Sequence, residues 1–153
     1  MNPTIRSLGV EDDVEVERLY EQSAAHLRAL GEDADFLFNA DIYRRDGFGD
    51  DPAFAGIGAE LDGRLVGYLL YTFAYDTDRA MRYLFVLDLL VDQNLRLQGI
   101  GRALMAEAAS LCRSAGGSEL FWTVYAKNEP AARFYRRLGG EEIDNLRFMR
   151  LGV

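Results

Sequence analysis

A glycine-containing junction between an apolar strand and a helix is the first candidate for chemistry. The segment Arg96–Gly101 (Arg-Leu-Gln-Gly-Ile-Gly) follows the long apolar run Met81–Val91. Gly99 and Gly101 remove side chains where the helix begins, so backbone N–H groups face outward at the positive end of the helix dipole. Such a turn can bind a pyrophosphate, and Arg96 and Arg102 add positive charge.

This junction has two alternative interpretations. The glycines of a tight turn can be required by the backbone conformation alone. A dinucleotide-binding fold is disfavoured, because its fingerprint has a third glycine and lies in the first unit of a repeating βαβ pattern.

A second candidate lies on a short helix near the end of the chain. Asn128-Glu129-Pro130 is typical of a helix start, with an Asn cap and a Pro in the first turn. Tyr135 lies on the apolar face of this helix. A tyrosine (pKa ~10) can protonate a departing thiolate (pKa ~8.5) at a cost of only ~2 kcal/mol. Alternatively, Tyr135 is a core residue whose hydroxyl is hydrogen-bonded to a polar group. Asn128, in turn, has the alternative role of a helix cap only.

Hydrophobic periodicity predicts the elements that position these residues. Asp62-Gly63 between two apolar runs indicates a β-hairpin, and the nearly uninterrupted run Met81–Val91 favours a central strand covered on both faces. Arg45–Pro52 is predicted to be a loop from its Gly, Asp and Pro content. The predicted strands are Thr4–Leu8, Phe54–Leu61, Leu65–Tyr75, Met81–Val91, Glu119–Tyr125 and Leu146–Leu151; the predicted helices cover about 11–30, a shorter stretch through Phe36 and Tyr43, Gly99–Ala115, and residues from Asn128 to Leu138.

Composition narrows the classes of function. The chain has 153 residues, of which 49% are apolar and 27% charged, so we expect one globular domain spanning 1–153. The net charge of −8 disfavours nucleic acid and favours cationic small molecules. One cysteine, Cys112, and one histidine, His26, exclude an internal disulfide and a Cys- or His-rich metal site, and no metal is expected. The absence of a secretory signal pattern and of a long apolar run predicts a cytoplasmic protein with no membrane partner.

The two candidate segments together resemble the GNAT superfamily of acetyl-CoA-dependent N-acetyltransferases. Arg96–Gly101 matches the Q/R-x-x-G-x-G/A motif of that family after its fourth strand, and Asn128–Gly139 matches its second acetyl-CoA motif. The order of strands and helices agrees as well. The resemblance implies a mixed α/β (α+β) GNAT acyl-CoA N-acyltransferase fold, with a mostly antiparallel sheet of about six to seven strands and about four helices.

Within that superfamily the chain is most similar to the spermidine/spermine and thialysine N-acetyltransferases. Asp46–Pro52 resembles their loop after the second helix, and Leu87–Val91 falls on their Leu-Glu-Asp-x-x-Val strand, with Asp88 on the Asp. Leu87 stands where those enzymes carry a glutamate implicated in recognising and deprotonating the amine. Leu146 stands near the position of a family tryptophan.

The resemblance also implies roles for individual residues. Acetyl-CoA would lie between the fourth and fifth strands, Tyr135 would protonate the leaving thiolate, and the amine would attack the thioester directly, with no acyl-enzyme. A homodimer is expected by analogy. The residues implied to contact acetyl-CoA are Leu89, Leu90, Val91, Arg96, Leu97, Gln98, Gly99, Ile100, Gly101, Arg102, Asn128 and Ala131.

The acceptor amine must lose a proton before it can attack, and the sequence does not identify the base that would accept it. An amine of pKa ~10.4 is about one-thousandth neutral near pH 7, a handicap of ~4 kcal/mol. Leu87 cannot act as a base. In a regular strand the side chain of Asp88 faces the opposite side of the sheet from that of Leu87, and only a bulge would change this. Asp88 is therefore predicted to hold the substrate cation; the alternative is a buried carboxylate satisfied by backbone N–H groups.

Other acceptor-site candidates have ordinary structural alternatives. Trp122, with Phe73 and Tyr75, is predicted to line a pocket, although aromatic residues in strands more often belong to the core. Glu32, Asp33 and Asp35 form an acidic cluster where the family places substrate contacts, against the alternative of a solvated turn. His26 is interpreted as a structural histidine, and Cys112 as a packing residue.

Three functions follow. The favoured one is transfer of the acetyl group from acetyl-CoA to a primary amine of a small molecule such as a diamine, a polyamine or a thialysine-like amino acid. The second keeps the donor and acts on a protein N-terminus or lysine. The third is a non-catalytic acyl-CoA-binding module on the same fold.

Overall fold

A computed structural model describes residues 2–153 and divides the chain into two compact units. The first unit extends to Thr123 and contains the sheet, and the second is Val124–Val153. The organisation of the chain as a single domain stays a prediction. Within residues 2–153, no helix is both long and apolar enough to cross a membrane.

A five-stranded mixed sheet forms the first unit, with the spatial order β1-β2-β3-β4-β5. The first four strands pair antiparallel, and β5 joins β4 in parallel. The mixed, mostly antiparallel α/β fold is therefore confirmed. The strands are β1 Thr4–Ser7, β2 Ala55–Leu61, β3 Arg64–Asp76, β4 Met81–Val91 and β5 Leu120–Trp122.

The expected six to seven strands are too many for the described residues. The predicted last strand, Leu146–Leu151, has no ladder partner and no strand assignment, and its large apolar side chains are exposed. The apolar residues there predict a strand, but a strand also needs a neighbouring strand to satisfy its backbone groups. Strand β5 is likewise shorter than the predicted Glu119–Tyr125.

The hairpin between β2 and β3 forms as predicted. Asp62 and Gly63 both have positive φ, 51° and 75°, and Leu61 pairs with Arg64 across the turn. Two consecutive left-handed residues define the type I′ turn, whose twist matches that of the flanking strands.

The described residues contain four α-helices. The first unit contains α1 Asp13–Ala29, α2 Ala40–Phe48 and α3 Ile100–Ser114, and the second unit contains α4 Glu129–Arg137. Helix α2 begins later than Phe36, because the Asn39 side chain caps it by accepting from the Ile42 N–H at 2.9 Å and because Phe36 has a left-handed φ of 51°. The predicted loop 45–52 consequently starts only at Gly49, the C-cap residue of α2.

Strand β3, rather than β4, is covered on both faces. Leu65, Val66 and Tyr68–Leu70 are all buried, whereas in β4 only Leu84 and Val86 are buried. Helices α1 and α2 pack against Tyr68 and Leu70, and α3 packs against the opposite face. Gly67 permits that approach, since a Cβ there would lie 3.2 Å from the Ile100 side chain and 2.9 Å from the Leu90 carbonyl oxygen. The prediction that β4 is covered on both faces was therefore only partly correct.

Candidate functional site

The junction between β4 and α3 is held by a buried ion pair. The Asp92 side chain accepts from Arg18 Nη1 at 2.8 Å and from the Asn94 N–H at 3.1 Å, and Arg18 Nη2 also donates to the Leu65 carbonyl. Burial acts to raise the pKa of Asp92, but these hydrogen bonds outweigh it and the pKa lies below its usual range. The chain therefore leaves β4 in a fixed direction.

Helix α3 begins with unsatisfied backbone donors. Gly99 is its N-cap residue with φ +84°, no side chain caps the helix, and its first turn has no acidic residue. The Ala103 N–H already bonds the Gly99 carbonyl, so the N–H groups of Ile100, Gly101 and Arg102 are those that lack an intrahelical acceptor. The nearby Arg96 side chain is exposed, and the arrangement suits an anion of phosphate type.

The rest of this loop is exposed. Leu97 is 96% exposed and has a left-handed φ of 66°, and Gln98 is also exposed. A left-handed backbone is unfavourable for leucine. The sequence therefore places an apolar, strained residue at the surface directly before the helix that carries the free amides.

Strands β4 and β5 pair over a short stretch only. The ladder contains Leu84↔Leu120, Phe85↔Phe121 and Val86↔Trp122, while β4 continues to Val91. Among the described residues, β4 beyond Val86 has a strand partner on its β3 side alone. The backbone of Leu89–Val91 is thus left without a strand on the β5 side, where an extended ligand can pair with it.

A β-bulge in β4 changes the expected direction of Asp88. Leu70 pairs with Asp88 and Tyr71 with Val86, so that Leu87 is the extra residue. As a result Leu87 and Asp88 line the same cavity instead of facing opposite sides of the sheet. Of the two alternatives that the sequence leaves open for Asp88, a regular strand and a bulge, the structure therefore has the bulge.

The cavity beside the bulge is mostly aromatic and aliphatic. Its volume is about 320 Å³. The Phe38 ring contacts the Tyr20 and Phe54 rings edge to face, with centroids 5.3 and 6.0 Å apart. The lining residues are Tyr20, Phe38, Asp46, Ala53, Phe54, Leu70, Leu87 and Asp88.

Asp88 is the carboxylate that the fold holds inside this cavity. Tyr68, which is fully buried, donates its hydroxyl to Asp88 Oδ2 at 3.2 Å. Burial raises the pKa of Asp88 to about 6, although the bonds from Tyr68 and from the Leu89 N–H act to lower it. A carboxyl group with this pKa exchanges protons near neutral pH, which suits acid–base chemistry.

The other predicted acceptor residues lie elsewhere. Trp122 ends β5 opposite Val86 and does not line the cavity that contains Leu87 and Asp88. Phe73 and Tyr75 are exposed on β3. The acidic cluster lies between α1 and α2, with Asp33 and Asp35 exposed, and none of its members lines the cavity.

The surroundings of His26 and Cys112 bear on their predicted structural roles. His26 is partly buried in the last turn of α1. Cys112 is buried, with its Sγ 3.3 Å from the Glu119 carbonyl oxygen, which confirms its interpretation as a packing residue. Residues 2–153 hold no group of three or more His, Cys, Asp or Glu side chains that could bind a metal ion.

The second unit contains the other predicted segment. Asn128 caps α4, and its side chain accepts from the Ala131 N–H at 3.4 Å, so the capping interpretation is confirmed. Its NH₂ group is left for other contacts. The rings of Tyr135 and Phe134 lie 5.2 Å apart, and both side chains are partly buried.

Sequence reasoning missed most of the cavity. Tyr20, Phe38, Asp46 and Phe54 reach it from α1, α2 and the segments on either side of α2. Periodicity and turn composition predict the element or loop of each residue, but they do not predict which elements meet in the fold. The bulge at Leu87 has no signal of its own in the run Tyr83–Val91.

Comparison with known proteins gives consistent matches. A model described as "Acetyltransferase (GNAT) family" matches residues 15–140. Thialysine N-epsilon-acetyltransferase of Bos taurus is 32% identical over 108 residues, which are 65% of this chain and 63% of that protein, so the match spans less than two thirds of that relative.

Two further proteins extend the comparison. Streptothricin acetyltransferase of Streptomyces lavendulae is 36% identical over 90 residues, covering 59% of this chain and 44% of that protein. The crystal structure of a possible acetyltransferase from Clostridium difficile 630 superposes with a TM-score of 0.81 at 16% identity, covering 100% of this chain and 99% of that one. At this identity the superposition supports the fold alone.

Proposed function

The chain belongs to the GNAT acetyltransferase family, and from that premise we propose that it transfers the acetyl group of acetyl-CoA directly to a primary amine of a small molecule. The observation that carries the acceptor half of this proposal is the β4 bulge, which presents Asp88 inside an aromatic-lined cavity. A carboxylate surrounded by aromatic faces binds ammonium groups through charge and cation–π attraction.

The donor half fits acetyl-CoA, which GNAT acetyltransferases use. The pyrophosphate would accept from the amides of Ile100, Gly101 and Arg102, beside the Arg96 and Arg102 side chains. The pantetheine arm would pair with the backbone of Leu89 and Val91; the Leu90 side chain packs against the core, so Leu90 would contribute backbone only. When bound, acetyl-CoA supplies the thioester to be attacked.

Gly99→Ala is expected to weaken acetyl-CoA binding about tenfold. An added Cβ meets nothing within 4 Å, so the effect arises from the φ of +84°, which alanine adopts at a cost of roughly 1–2 kcal/mol. Relaxing that φ turns the α3 amides away from the pyrophosphate. Titration calorimetry with acetyl-CoA measures the change.

Gly63→Ala is the matched control, because Gly63 has a φ of +75° and open space around its Cβ in the hairpin turn. It carries the same backbone strain and is expected to bind acetyl-CoA as the native chain does. An unchanged affinity in Gly99→Ala would remove the pyrophosphate role from this turn.

The proton chemistry can be divided between Asp88 and Tyr135. The amine lone pair attacks the thioester carbonyl carbon, the C–S bond breaks, and Tyr135 protonates the sulfur. Direct transfer from a free ammonium of pKa ~10.4 to Asp88 would cost ~6 kcal/mol. Asp88 therefore first holds the ammonium, which loses one proton to bulk water and so exposes the lone pair that attacks. Once C–N bond formation has made the nitrogen more acidic, Asp88 accepts the second proton.

Thiol release from acetyl-CoA tests the function. The panel contains alkylamines, diamines, spermidine, thialysine, lysine and short peptides, and we expect acetylation of small amines and not of peptides. Acetylation of peptides alone would instead assign a protein N-terminus or lysine as acceptor. Acetyl-CoA binding without turnover on any amine would favour a non-catalytic acyl-CoA-binding module.

The quaternary state is carried over from the resemblance. We propose a homodimer by analogy with the polyamine-type enzymes, while the cytoplasmic location stays a prediction from the sequence. Sedimentation of the 17.2 kDa chain as a monomer would contradict the dimer.

A further inference from the structure

The acceptor cavity offers one uncompensated negative charge. Its two carboxylates are Asp88 and Asp46. Arg45 bonds both oxygens of Asp46, with Nε 2.7 Å from Oδ1 and Nη2 2.9 Å from Oδ2. This bidentate pair neutralises Asp46 within its own helix. The cavity therefore has one partner, Asp88, for one ammonium group.

The position nearest Asp88 is apolar. Leu87, the extra residue of the bulge, lines the cavity and is 47% exposed. The Phe54 and Phe38 rings and Leu70 supply further apolar walls. A second ammonium brought here would lose water without gaining a carboxylate, whereas a hydrocarbon chain would gain buried contact area.

A second cavity continues the apolar surface. It has a volume of about 240 Å³ and shares Phe54 and Leu70 with the first. Phe54 is fixed by close packing, because a Cβ on Gly47 would lie 2.6 Å from its ring. Tyr43 and Phe48 also line the second cavity. The apolar side chains available to a hydrocarbon tail therefore extend from the first cavity to the second.

From this distribution of charge we propose that the acceptor is a monoamine carried on an alkyl or arylalkyl chain, rather than a diamine or a polyamine. This inference rests on the proposed function, since it takes the bulge cavity as the acceptor site. Asp88 binds the single ammonium, and the walls formed by Leu87, Phe38 and Phe54 select the hydrocarbon.

The test compares n-hexylamine with hexane-1,6-diamine, which share a carbon chain and differ in the second ammonium. Binding is measured by titration calorimetry on protein saturated with CoA, and turnover is measured separately with acetyl-CoA. We expect hexylamine to bind about tenfold more tightly, as a second unpaired charge in an apolar site implies. Equal or tighter binding of the diamine, or no binding of either amine, would overturn the inference.

Leu87→Glu provides the matched variant, with Leu87→Gln as the neutral control of similar shape. The added carboxylate should raise diamine affinity about tenfold and so remove the preference for hexylamine, while the amide should not. Loss of the preference in both variants would mean that charge is not the cause, which contradicts the inference. Selective binding without turnover would leave the inference standing and count against the proposed function alone.

Discussion

Tyr135→Phe is expected to lower kcat for acetyl transfer by about a hundredfold or more, with little change in acetyl-CoA affinity. Loss of a positioned general acid typically costs 10²–10⁴-fold, because the thiolate must then leave without a proton. The ring remains, and with it the contact to Phe134 at 5.2 Å between centroids, so folding is preserved. Steady-state turnover and acetyl-CoA calorimetry on the same preparation separate the two effects.

Tyr125→Phe is the matched control for this substitution. It removes one hydroxyl from an exposed tyrosine of the same unit, and turnover should stay near that of the native chain. If Tyr135→Phe keeps full turnover, Tyr135 is not the acid. If instead acetyl-CoA affinity falls with kcat, the hydroxyl serves binding and the proton comes from elsewhere.

Local signals in the sequence were sufficient to predict one hairpin and the starts of two helices. Asp62-Gly63 dictates its hairpin through two left-handed residues. The glycine at 99 dictates the start of α3, and Asn128 with Pro130 dictates the start of α4. Each of these features depends on the conformational preference of one or two residues, so neighbouring sequence contains the information.

The acceptor half could not be predicted in the same way. Whether Asp88 lies in the cavity depends on one extra residue in β4, and that residue is set by pairing with Leu70 and Tyr71 of β3. The neutralisation of Asp46 by Arg45 depends on side-chain geometry at the end of α2. Leu146–Leu151 is a case in which a strand is predicted but does not form, because the segment has no strand to pair with among the described residues.

Asp88→Asn is expected to lower kcat/KM by 10²–10⁴-fold at pH 8, the range typical of a lost general base. The amide still accepts from Tyr68, whose hydroxyl lies 3.2 Å from the native carboxylate, so the cavity keeps its shape. In the native chain kcat/KM should rise with pH through about 6, the pKa to which burial raises Asp88. This acid limb should disappear in the variant.

Asp88→Asn should also stabilise the fold, but only at pH values above the pKa of the native Asp88 carboxyl group. Because folding raises the pKa of Asp88 from about 3.9 to about 6, the stability contributed by the protonated form is fully present below pH ~4 and is lost as the pH rises through about 6. A shift of roughly two units corresponds to about 3 kcal/mol, and partial access to solvent reduces it to roughly 1–3 kcal/mol. Asp88→Asn should therefore gain that amount over the native chain at pH 8 and nothing at pH 4, as measured by urea unfolding at both values.

Asp35→Asn removes the same charge from an exposed position outside the cavity, and it should change neither the acid limb nor the stability difference between the two pH values. A gain in stability at pH 8 without loss of activity would make Asp88 a buried carboxylate with no part in the reaction. Loss of activity without the pH-dependent gain would mean that the folded protein does not raise its pKa. If both effects occur together, one group must be costly to ionise in the folded protein and must also be ionised for the reaction. That combination is expected of a general base that one extra residue in a strand places in an aromatic cavity.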